Sequence, residues 1–136
     1  MTGRVLLFVY GTLHPDYQGK PSEFLRARSQ RLGPAFTSGR LYDAGPFPVA
    51  VFDPESQDRI YGELLELTAL PATLDWLDRY EGYNPRRPLT SLFIRSEITV
   101  FAHDIPYPCF AYQAALPPEN LPLIASGDYL AYLAGH

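Results

Sequence analysis

Val5-Leu6-Leu7-Phe8-Val9-Tyr10-Gly11-Thr12-Leu13 sets six consecutive apolar, β-prone residues directly before a glycine. An apolar run without polar alternation is the pattern of a strand buried on both faces. It is far shorter than the roughly 20 residues needed to span a bilayer. It is also too short for a signal-peptide core and has no small-residue cleavage site after it. Gly11 ends the strand and leaves the backbone N–H groups of the next loop open to a ligand, because no side chain blocks close approach. Such N–H groups hold a carboxylate or a developing oxyanion. The same residues also read as an ordinary strand and turn. Gly19-Lys20 follows this strand, but a phosphate loop needs glycine five residues before the Gly-Lys pair and Ser or Thr after it. Those positions hold His14 and Pro21, so the nucleotide-binding reading fails.

Outward from this strand the chain is built of short elements. Pro21-Ser22 opens a short helix to about Arg28. Residues 34–42 alternate loosely, and Asp43-Ala44-Gly45-Pro46-Phe47-Pro48 is a loop by its Gly and Pro content. Strands follow over Val49–Phe52 and Ile60–Leu67, with a turn at Asp53-Pro54-Glu55-Ser56 between them. Leu70, Leu74 and Leu77 recur at helical spacing, Pro71 is tolerated in the first turn, and Gly82 and Pro85 stop the helix. Leu92, Ile94, Ile98 and Val100 alternate with Arg95, Glu97 and Thr99 along one long strand. A further strand spans Tyr107–Tyr112 and a terminal helix Gly127–Leu133. About six strands with two or three short helices predict an α+β fold whose sheet is mixed or antiparallel and can close into a barrel. Residues 1–136 read as one domain, without repeat or linker.

Composition narrows the function classes. Fourteen prolines in 136 residues is about twice the usual share of roughly 5%, which excludes a helical bundle. A net charge of −4, with no basic run longer than Arg86-Arg87, argues against a nucleic-acid binder. The single cysteine, Cys109, forms no internal disulfide and reads as a small core residue. His14, His103 and His136 show no ligand spacing and are expected at the surface. A reducing cytoplasm is the default location.

Leu74-Asp75-Trp76-Leu77-Asp78-Arg79-Tyr80-Glu81-Gly82-Tyr83 carries the best catalytic candidate. Asp75, Asp78 and Glu81 recur every third residue and lie roughly along one side of the helix. Asp75 and Asp78 read as a solvated acidic face. Glu81 differs, because it stands at the helix C-terminus, where the macrodipole disfavours an anion, between Tyr80 and Tyr83. That placement raises a carboxylate's pKa, as a general base requires.

Taken in order, four segments resemble the gamma-glutamylcyclotransferase-like family. They are Phe8-Val9-Tyr10-Gly11-Thr12-Leu13, then Gly39-Arg40-Leu41-Tyr42 with Gly45-Pro46-Phe47-Pro48, then Ile60-Tyr61-Gly62-Glu63-Leu64, then Leu77-Asp78-Arg79-Tyr80-Glu81-Gly82-Tyr83. Ser126-Gly127-Asp128-Tyr129 through Leu133 resembles the family's C-terminal segment. The resemblance implies a small mixed barrel of about six strands with short helices. It implies cyclisation of a γ-glutamyl amine, amino acid or small peptide to pyroglutamate with release of the amine. By position, Glu81 matches the catalytic acid/base, and Tyr10, Gly11, Thr12 and Leu13 match the loop that holds the glutamyl unit. Such a reaction needs no metal or organic cofactor, and its partner is a small γ-glutamyl compound rather than a nucleic acid or a membrane. The chain departs from the family at Phe93, where tyrosine is frequent. That departure leaves an alternative, a non-catalytic protein that binds a carboxylate or glutamyl-like ligand on the same fold. The sequence leaves oligomeric state open.

Overall fold

The computed structural model describes residues 4–84, 86 and 92–135. Pro85 and His136, both used above, lie outside the described residues. The elements in chain order are β1 (Leu6–Val9), α1 (Lys20–Arg26), β2 (Ser29–Asp43), β3 (Pro48–Phe52), β4 (Arg59–Leu67), α2 (Ala72–Tyr80), β5 (Phe93–Ala102), β6 (Ile105–Ala114) and α3 (Tyr129–Ala134). The sheet runs β3-β2-β4-β1-β6-β5, and β5 returns to β2 at Phe36↔Phe101. That pairing closes β2, β4, β1, β6 and β5 into a five-stranded barrel, with β3 as an extra strand on β2. The β1–β6 pair is parallel and the others are antiparallel, so the barrel is mixed. The α+β barrel expected from the sequence is the fold observed.

The unbroken apolar run of β1 has a direct cause. Leu6, Phe8 and Tyr10 join a core fed by all six strands, which is the barrel interior. Leu7 and Val9 face outward into a second core with Leu25 of α1, Leu65 of β4, Leu77 of α2 and Tyr112 of β6. Both faces of β1 are therefore dry. Gly62 of β4 is forced by close approach, because a Cβ there would stand 2.2 Å from the Val9 carbonyl oxygen.

The last strand runs longer than expected, Ile105–Ala114, and the terminal helix starts later, at Tyr129; three further differences have a clear cause. β2 starts at Ser29, well before the alternation becomes visible, because a bulge between Arg31 and Gly33 resets the inside–outside parity. Leu70 precedes α2 and is exposed rather than part of its apolar stripe. In β5 the buried end residue is Phe93, while Leu92 lies outside the strand and is exposed. Phe93 joins the outer core with Phe47, and Val100 and Ala102 join the barrel interior.

Candidate active site

The β1 strand delivers Tyr10, Gly11, Thr12 and Leu13 to the rim of a cavity of about 520 Å³. Helix α2 ends at the same cavity and contributes Tyr80, Glu81 and Gly82. All five residues singled out by sequence therefore line one space. The volume falls within the range of small-molecule sites.

Gly11 lies against Pro48 of the Gly-Pro-Phe-Pro loop. A Cβ on Gly11 would come within 2.7 Å of Pro48 Cγ and 3.0 Å of Cδ. The proline ring cannot swing away, so the glycine is required by contact. Gly11→Ala is expected to lower stability by about 1–3 kcal/mol, the usual cost of overpacking, measured by urea unfolding. Wild-type stability in that variant would show that the loop yields freely. The N–H groups of Gly11, Thr12 and Leu13 donate to no acceptor among the described residues. Three consecutive unpaired donors on residues that line the cavity suit an anionic or carbonyl oxygen.

The side chains of this loop are already engaged. The Tyr10 hydroxyl donates to the Tyr112 carbonyl oxygen. Thr12 Oγ1 and the Tyr80 hydroxyl are hydrogen-bonded at 2.8 Å, and Leu13 is buried in the outer core.

Glu81 is held by the way α2 stops. Gly82 adopts φ 69°, its N–H reaches the Arg79 carbonyl at 3.2 Å, and the Tyr83 N–H reaches the Asp78 carbonyl at 2.8 Å. These two bonds form a Schellman motif, which sets Glu81 as the helix C-cap. Its half-buried carboxylate makes no hydrogen bond or ion pair among the described residues. Burial pushes its pKa up to about 7, because the charged form loses part of its hydration and gains no hydrogen bond in return. A carboxylate poised near neutrality exchanges a proton readily in either direction. Burial, and then the Glu81 charge, keeps the Tyr10 phenol protonated.

Asp78, expected on a solvated face, is buried. Arg95 Nη1 of β5 lies 2.8 Å from its Oδ2 and 3.0 Å from its Oδ1, and the Tyr112 hydroxyl donates to Oδ1 at 2.6 Å. The last turn of α2 leans on β5 and β6, so Asp78 is a structural anchor beside Glu81, while Asp75 is exposed. His14, expected at the surface, is also buried. The loop after β1 folds back over β4, so His14 Nδ1 accepts the Asp16 N–H at 3.0 Å and Nε2 stands 4.0 Å from Glu63. His103 is exposed as expected, and Cys109 is buried in the barrel interior. Tyr17, Phe47 and Tyr112 also line the cavity. Nothing in their local sequence distinguishes them from other aromatics.

The family model described as "Gamma-glutamyl cyclotransferase, AIG2-like" matches residues 7–131. The chain belongs to that family. Among solved structures, it aligns with YkqA from Bacillus subtilis at 27% identity and a TM-score of 0.71, covering 96% of this chain and 41% of that one. It therefore spans about two fifths of the Bacillus protein. It aligns with ytfP from Escherichia coli at 26% identity and a TM-score of 0.65, covering 94% and 98% of the two chains. An AIG2-like protein from Mus musculus shares the fold at 23% identity and a TM-score of 0.71, covering 94% of this chain and 89% of that one. No match was found among curated proteins. None of the helices described is long and apolar enough to cross a membrane, and no His/Cys/Asp/Glu group suited to a metal ion occurs among the described residues.

Proposed function

We propose that the protein is a cyclotransferase that converts a γ-glutamyl amide into pyroglutamate and a free amine. One observation carries this reading. An unpaired carboxylate with a pKa near 7 shares a cavity with three unpaired N–H groups of the loop after β1. Ring closure needs both parts. Glu81 takes a proton from the substrate α-ammonium, and the freed nitrogen attacks the γ-carbonyl carbon. The carbonyl oxygen gains negative charge, which the Gly11–Leu13 N–H groups stabilise. The bond from the γ-carbonyl carbon to the amide nitrogen then breaks, Glu81 returns the proton to that nitrogen as it leaves, and the second proton on the new ring nitrogen passes by way of Glu81 to the released amine, which departs as an ammonium. The attack is intramolecular, so a cavity that holds the glutamyl chain folded supplies much of the acceleration. We take residues 1–136 as one domain that carries the whole site, working in a reducing cytoplasm on a small γ-glutamyl compound.

Incubation with a panel of γ-glutamyl amides should release pyroglutamate together with an equal amount of free amine. Absence of product from every amide would overturn the reading. Phe93 favours a second one. It lines the cavity with its ring edge-on to Phe47 at 5.6 Å and offers no hydroxyl there. A protein that only binds glutamyl-like ligands would hold them unchanged over hours.

A further inference from the structure

We infer that His14 is the positioning residue that holds the Gly11–Leu13 loop closed at neutral pH and releases it in acid. For its effect on rate this rests on the cyclotransferase reading, to which it adds a support outside the catalytic cavity. Two consecutive turns meet at His14. Its N–H donates to the Gly11 carbonyl at 2.9 Å, closing the turn whose middle residues are Thr12 and Leu13, and its carbonyl accepts the Tyr17 N–H at 2.9 Å. The imidazole fixes the second turn, because Nδ1 accepts the Asp16 N–H at 3.0 Å. Two barrel strands grip the same segment. Arg31 of β2 binds the Asp16 carboxylate, with Nη1 3.0 Å from Oδ1, and the Glu63 carboxylate of β4, with Nη2 3.1 Å from Oε1. His14, Asp16, Arg31 and Glu63 line a second cavity, of about 390 Å³, which among the described residues shares only Tyr10 with the first. His14 therefore reaches the catalytic cavity only through the loop. A ring nitrogen that accepts carries no proton, so the imidazole is neutral with its hydrogen on Nε2. A proton added to Nδ1 would face the Asp16 N–H, donor against donor, and break the bond. The charged groups around the ring are Asp16, Glu63, Asp128 and Arg31. Burial outweighs the three carboxylates and, with Arg31, holds the ring below the ordinary histidine value of 6.5. The clamp is shut at neutral pH and opens below that value.

His14→Leu and His14→Asn separate an acceptor from a filler of space. Leucine offers no acceptor, whereas the asparagine side-chain oxygen accepts the N–H two residues on, as in an Asx turn, and does not titrate. Amide exchange read by NMR at positions 14, 16 and 17, with Leu7 and Leu65 of the barrel as reference, reports the clamp without any substrate. At about pH 7.5 the three amides should exchange about tenfold faster in His14→Leu than in wild type, and His14→Asn should keep most of their protection. Lowering the pH to about 5 should cost the wild type the same protection, after correction for the intrinsic rate, and leave His14→Asn protected. Unchanged exchange in His14→Leu, or wild-type protection that persists in acid, would overturn the inference. If Leu7 and Leu65 lose protection as well, His14→Leu has loosened the whole barrel, and the wild-type comparison between the two pH values decides instead. With pyroglutamate release measured at about pH 8, where Glu81 is ionised, His14→Leu should lower kcat about tenfold and move KM by less than about twofold, because the N–H donors act on the developing oxyanion. An unchanged kcat would overturn the positioning role, while the product formed leaves the cyclotransferase reading standing. If the wild type forms no pyroglutamate, that reading fails, and the exchange results alone decide the clamp.

Discussion

Glu81→Gln is expected to lose roughly 10²–10⁴-fold in kcat, the range for removal of a positioned acid/base, and to gain stability at alkaline pH. Gln keeps the shape and accepts hydrogen bonds, but it cannot take the ammonium proton. In the wild type kcat/KM should rise with pH through about 7, because only the ionised carboxylate accepts that proton. Stability moves the other way. The native carboxyl holds its proton up to about pH 7, whereas the unfolded chain releases it near 4.5. Between those values the native state binds more protons, so stability falls as pH rises. The loss is at most about 3 kcal/mol, since each unit of pKa is worth about 1.4 kcal/mol. Urea unfolding at pH 4 and pH 8 should therefore show wild type and variant alike at the lower pH. At pH 8 the variant should be more stable by about 1–3 kcal/mol. Full activity in Glu81→Gln would sink the mechanism, and parallel pH–stability curves would sink the buried-carboxylate account.

The barrel was legible where neighbouring residues share one environment. The β1 run is apolar throughout because Leu6 and Phe8 point into the barrel while Leu7 and Val9 lie beneath α1 and α2. Gly82 marked the end of α2 because a left-handed residue there has a local signature. Closure was less legible, since it depends on a pairing of Phe36 with Phe101 that no local pattern announces. Within the site, Glu81 could be singled out because its oddity is local: an acid at a helix C-terminus between two tyrosines. Asp78 could not. Residues three apart on a helix differ by about 60° around its axis, enough to leave Asp75 in water and turn Asp78 towards β5. Its partner Arg95 is 17 positions away, so helical spacing carries no sign of it. His14 escaped for the same reason, its neighbours Arg31 and Glu63 standing on β2 and β4. Polar residues buried by distant partners look like surface residues until the strands are assembled.

Asp78→Ala is expected to destabilise the protein by about 3 kcal/mol, near the lower end for breaking a buried ion pair. Two groups lose their partner at once. Arg95 keeps a charge whose side chain is 21% exposed, so water recovers part of its hydration. The Tyr112 hydroxyl, in a buried hydrogen bond of 2.6 Å, is left with no acceptor, at a cost of about 1–3 kcal/mol. Asp78→Asn should lose less, because an amide oxygen still accepts from Tyr112 while the ion pair is gone. Asp78→Ala combined with Arg95→Met should recover much of the loss, since removing both charges ends the stranded-cation penalty. The site should feel the change too. Asp78 ties the last turn of α2 to β5 and β6 three residues before Glu81, so loosening it admits water to the carboxylate. The acid limb of the kcat/KM profile in Asp78→Asn should then shift below about 7 towards an ordinary carboxylate value. Urea unfolding and a pH–rate profile read the two effects separately. An Asp78→Ala variant within about 1 kcal/mol of wild type would show that the pair contributes no more than a surface bridge does. An unmoved acid limb in Asp78→Asn would show that the Schellman turn alone sets the partial burial of Glu81.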